Sequence, residues 1–180
     1  SHHLYSQVFD LPEEARGNLE EAAEFNLETI SPLPLVDSYR DWQVVGSRQD
    51  DSQKLEILGA FIPSQIIEEY NNVLLESGFR PVAIEFSALA LARLFKNVAD
   101  HKLINPSTLI YLSSAGLEFA VIKEGELRFQ YFRPWSSLKQ DSQTISLNDL
   151  KTAVIQELER VINFYHNRYN QPIQNIVPVV

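Results

Sequence analysis

The chain has 180 residues, 44% hydrophobic and 22% charged, which suits one globular domain or two small lobes and excludes a mainly disordered tail. A formal charge of −9 excludes nucleic-acid or anionic-lipid binding through bulk charge, since both need surplus lysine and arginine. Cysteine is absent, which removes disulfides, thiolate metal sites and cysteine nucleophiles; no apolar run approaches the ~18 residues of a membrane helix, and no signal-peptide pattern opens the chain.

Residues 1–9 read as tag or disordered lead-in, with Ser1-His2-His3 tag-like, and the lack of any methionine suggests a processed or excised chain. Asp10-Leu11-Pro12-Glu13 has the form of a capping box and predicts a helix to about Ile30, ended by Ser31-Pro32-Leu33-Pro34. Residues 39–46 and 54–62, rich in Val, Ile, Trp and Phe, predict two strands joined by a polar hairpin connection. Ser64 is expected to cap a helix to Ser77 carrying Ile66, Ile67, Tyr70, Val73 and Leu74, with Gly78 as its left-handed end. A short strand over 80–86 and a helix from Ser87 complete a small α+β subdomain, residues 10–100.

The polar turn at 100–107, with Asn105-Pro106, predicts a lobe boundary. Three strands follow, at 109–112, 117–122 and 126–132, with a Ser-Ser-Ala-Gly corner between the first two and a tight Glu124-Gly125 turn between the last two. Alternation puts Phe129 and Tyr131 on one face and Phe132 on the other, so both faces need cover. Ser146 to Asp149 forms a second capping box before the strongest amphipathic helix, in which Leu150, Val154, Leu158, Val161, Ile162 and Tyr165 recur at helical spacing to Tyr169. Residues 173–180 predict a terminal strand, giving a second lobe over 104–180.

Few residues carry recognisable chemistry. His101 and His166 lack partners at ligand spacing and read as surface histidines. Glu13, Glu14, Glu20, Glu21, Glu24 and Glu28 read as a solvated or partner-facing side. Nucleophile-elbow, Walker and His-Glu-x-x-His patterns are missing, so no catalytic residue and no metal site is assigned. The corner at Ser113, Ser114 and Gly116 is the candidate nucleotide-binding feature, because backbone amides at a glycine corner can form an anion nest.

Residues 20–34 (EEAAEFNLETISPLP) before Asp41-Trp42-Gln43-Val44-Val45, the run 55–63, the helix ending in Glu76-Ser77-Gly78, Arg80-Pro81-Val82, residues 85–94 (EFSALALARL) and residues 119–127 (FAVIKEGEL) occur in a distinctive order. That order resembles the PilM-like type IV pilus assembly proteins of the actin-like ATPase superfamily, and more distantly FtsA and GspL. The resemblance covers about residues 10–135, and 147–180 more loosely. It implies an α/β (α+β) fold: a partial actin-like, ribonuclease-H-like lobe plus a small α+β subdomain. It departs from ATPase members at Tyr111, where they carry a metal-holding acid, and at Pro178-Val179-Val180, where they carry an adenine-side Gly-Gly. The implied function is a non-catalytic cytoplasmic scaffold of a pilus or type II secretion assembly, peripheral at the inner membrane and requiring no cofactor. Its implied partner is a PilN-like cytoplasmic peptide of a membrane-anchored protein, docking beside Tyr39, Trp42 and Val44, with oligomerisation open. The alternative is an ATP- and Mg-binding protein whose phosphate motifs lie partly outside these residues.

Overall fold

The computed structural model describes residues 4–48, 53–98, 105–138 and 144–179. They divide into two units, one up to Phe86 and one from Ser87 onward.

The first unit contains β1 (Tyr5–Pro12), α1 (Leu19–Ile30), β2 (Ser38–Arg48), β3 (Lys54–Pro63) and α2 (Ser64–Glu76). Its sheet is antiparallel with order β1-β3-β2. The period of two along β3 sends Leu55, Ile57 and Phe61 to one face, where Phe9 and Leu11 of β1 join them against Ala23 and Leu27 of α1. Gly59 lies on that face because a Cβ there would run into the Leu27 side chain.

Four expectations fail here. Residues 5–9, assigned to tag or disorder, and Asp10, assigned as a helix cap, instead form β1, with Asp10 opposite Glu56. Phe9 and Leu11 bury only with strand alternation beside β3, whereas the 13–18 stretch makes just a 3-10 turn before α1 begins at Leu19. The strand expected over 80–86 does not form: no described strand pairs with it, and Val82 is fully exposed. A β-rich run becomes a strand only where a neighbour completes its ladder. Pro63, not Ser64, holds the N-cap position of α2, and Gly78 ends that helix at φ +85.

The second unit contains α3 (Ser87–Val98), β4 (Ser107–Leu112), β5 (Gly116–Lys123), β6 (Glu126–Pro134), α4 (Leu147–Tyr169) and β7 (Asn175–Val179). Its sheet order is β6-β5-β4-β7, antiparallel through the first three, with β7 parallel to β4 after the α4 crossover. β5 is buried at every position from 116 to 122, so both faces must be covered. Leu117, Phe119 and Val121 pack with Phe129 and Tyr131 against Ala153, Val161 and Tyr165 of α4. Glu118, Ala120 and Ile122 point the other way, to the side where α3 lies on β5 and β6. Ala88 and Ala92, both buried, let α3 approach the sheet closely.

The boundary expected at 100–104 therefore shifts: α3 belongs with the sheet it covers, and its Lys96 pairs with Glu126. Residues 99–104, including His101, lie outside the described set. The hairpin turn is as expected, with Glu124 at φ 58 and Gly125 at φ 78, the two left-handed positions of a type I′ turn. Ser146 caps α4 by accepting the Asp149 N–H at 3.1 Å, and Asn170 ends it at φ 50.

Leu27 is fully buried at the centre of the first unit's core. Leu27→Ala should cost about 2–5 kcal/mol in denaturant titration, whereas exposed Val82→Ala should stay within about 0.5 kcal/mol.

Candidate functional site

The corner between β4 and β5 is closed by its own hydrogen bonds. Ser113 Oγ accepts the N–H groups of Ala115 at 3.2 Å and Gly116 at 3.1 Å, while donating to the Gly116 carbonyl at 3.1 Å. The Ser113 N–H also donates to the Gly116 carbonyl, at 3.0 Å. Trp135 seals the other side: its indole Nε1–H donates to the Ser113 carbonyl at 2.9 Å, and its backbone N–H to the Ala115 carbonyl at 3.1 Å. An anion nest requires amides that point outward without partners. Here two of those amides, of Ala115 and Gly116, already have a hydroxyl acceptor, while Ser114 and Ala115 are the exposed residues of the turn.

Gly116 is present for a packing reason. A Cβ there would collide with the Arg133 carbonyl and sit 2.9 Å from the Phe132 ring, so only glycine lets β5 and β6 meet at this point. Its φ lies outside the left-handed range.

Tyr111, at the place of the expected acid, pairs across the sheet with Glu118. The carboxylate on this face thus comes from the neighbouring strand. Glu118 is 3% exposed, and its two oxygens accept from Ser87 Oγ at 2.8 and 2.6 Å. This contact ties the first residue of α3 to the sheet, and a buried carboxylate needs such a donor. A second buried carboxylate, Glu157, accepts from Arg133 of β6 and from Arg160 on α4, the latter at 3.0 and 3.1 Å. Neither contact was foreseen. The available signal was a charged residue set among Leu117, Phe119 and Ala120 in an otherwise apolar strand. Among the described residues no group of three or more His, Asp and Glu converges on a possible metal position. No described helix is long and apolar enough to cross a membrane.

The partner-binding candidates all fall on β2, but not on one face. Pairing with β3 puts Arg40, Trp42 and Val44 on the α1 side and Tyr39 on the opposite side. Trp42 packs into the α1 core, while Tyr39 and Val44 are 52% and 40% exposed. Arg40 reaches two glutamates of α1, Glu24 at 3.2 Å and Glu28 at 3.7 Å. Among the described residues β2 borders only β3, so its far side is a free edge of the sheet. At that edge the Trp42 N–H donates to the Asp41 carboxylate at 2.8 Å.

No protein-family model matches the sequence, and no curated protein matches it. Among solved structures, a chain of the PilM-PilN type IV pilus biogenesis complex superposes with a TM-score of 0.72 over 98% of this chain at 12% identity. This chain spans 59% of that one's length. A protein of unknown function with an actin-like ATPase fold, from Bacteroides thetaiotaomicron VPI-5482, covers 96% of this chain and 64% of its own, at 8% identity and a TM-score of 0.40. The chain thus shares the mixed α/β fold of that chain of the PilM-PilN complex, in keeping with the fold that the sequence resemblance implied.

If the corner is a structural latch, Ser113→Ala and Gly116→Ala should each lower stability by about 1–3 kcal/mol, the first through unsatisfied amides and the second through overpacking. Ser114→Ala should change it by less than about 0.5 kcal/mol. Chemical denaturation of the three variants checks the ordering.

Proposed function

We propose that this chain is a non-catalytic docking component of a type IV pilus assembly or a related type II secretion assembly. It works at the cytoplasmic side of the inner membrane and binds a short cytoplasmic peptide of a membrane-anchored partner of the PilN kind. The observation that carries the reading is the superposition on the PilM-PilN complex chain over 98% of these residues. The corner supports the non-catalytic part: the amides that would face a phosphate are bonded to Ser113, and the nearby acid is engaged with Ser87. On this reading the chain uses neither ATP nor magnesium, and the exposed surfaces of the first unit do the work.

The test is calorimetry with the N-terminal cytoplasmic peptide of a membrane-anchored assembly protein of the PilN kind. Saturable binding with a Kd on the order of micromolar is expected, as for other short peptide contacts. Flat heats at high peptide concentration would sink the proposal.

A further inference from the structure

We infer that the free edge of β2 receives an extended, basic peptide as an added strand of the first unit's sheet. This rests on the peptide-docking reading and specifies how the peptide is held.

The main chain provides the first argument. The Trp42 N–H is bonded to the Asp41 carboxylate and so is not spent on β3. The alternation of an antiparallel ladder then turns the main-chain groups of Arg40, Trp42 and Val44 to the open side. The Asp41 carboxylate occupies the position on Trp42 that a partner strand's carbonyl would take. It shields the edge when empty and can swing away when a strand arrives, since Asp41 is itself exposed. The one cation among these edge residues, Arg40, is drawn back to Glu24 and Glu28 on α1 and does not guard the edge.

Charge selects the occupant. Glu21, Glu24, Phe25 and Glu28 share one side of α1 at helical spacing, and Phe25 is 69% exposed. Glu24 and Glu28 are fixed beside β2 through Arg40, so this acidic lip borders the edge on one side. Tyr39 and Asp41 border it on the other. A strand added here would place alternate residues next to the glutamates and the rest next to Tyr39, which fits a peptide alternating Lys or Arg with apolar residues. A second copy of this chain fits badly. Two-fold pairing of β2 with itself keeps both α1 helices on the same face, with their acidic lips opposed.

The probe is an acetylated, amidated Val-Lys repeat of eight residues, tested beside a Val-Glu repeat and a Val-Lys repeat N-methylated at alternate positions. Binding is followed by calorimetry and by amide protection in NMR. The Val-Lys peptide should bind and protect the Trp42 and Val44 amides, and the Val-Glu peptide should not bind. N-methylation should weaken binding about tenfold or more, because it removes strand hydrogen bonds. Val44→Pro should fold normally, since proline is tolerated where the edge N–H faces outward, yet lose similar affinity. If that variant misfolds, the N-methylated peptide decides on the native chain. Equal binding of the N-methylated peptide, protection at other amides, or a dimer through β2 in light scattering overturns the inference. If the natural partner peptide still binds in such a case, the docking reading stands and only strand addition falls. If neither peptide binds, both fall.

Discussion

Everything in the second unit follows from how closely β5 approaches β6 at its start. Gly116 passes so near the Arg133 carbonyl that a methyl group would not fit. From there β5 runs buried for its whole inner length, which forces a helix onto each face. α4 covers one side with Ala153, Val161 and Tyr165, and α3 covers the other through Ala88 and Ala92. The same approach brings Trp135, just after β6, up to the corner that precedes β5. A turn with a glycine and two serines thereby becomes a closed latch. The residues suited to gripping an anion are held by the packing that builds the sheet.

The first unit has the opposite character. Its core packs α1 against a three-stranded sheet, and the outer strand β2 has nothing beyond it among the described residues. The ion pairs of Arg40 with Glu24 and Glu28 join partly exposed groups, so they contribute little stability. Their effect is positional, because they hold the acidic side of α1 at the sheet's edge. The corner of the second unit is closed by its own hydrogen bonds, whereas the β2 edge of the first unit stays open among the described residues.

Much of the fold was legible because its signals are local. The Glu124-Gly125 turn, the cap at Ser146 and the helical spacing from Leu150 to Tyr165 each lie within a few residues of what they control. β1 was hidden by a stronger local cue, since Asp10-Leu11-Pro12-Glu13 imitates a helix start while only β3, some forty residues away, reveals the strand. The run over 80–86 misled in the reverse sense: it has strand composition and no strand beside it. The site was less legible than the fold. Alternation alone would have separated Tyr39 from Trp42 and Val44. The contact of Ser87 with Glu118 joins residues 31 apart, and no local pattern announces it.

The most direct test of the central claim is an amide NMR titration of the 180-residue chain with Mg-ATP, followed at Ser113, Ala115 and Gly116. These amides should keep their positions up to millimolar nucleotide, because Ser113 already occupies the two that an anion needs. Saturable shifts at Ala115 and Gly116, strengthened by magnesium, would contradict the account.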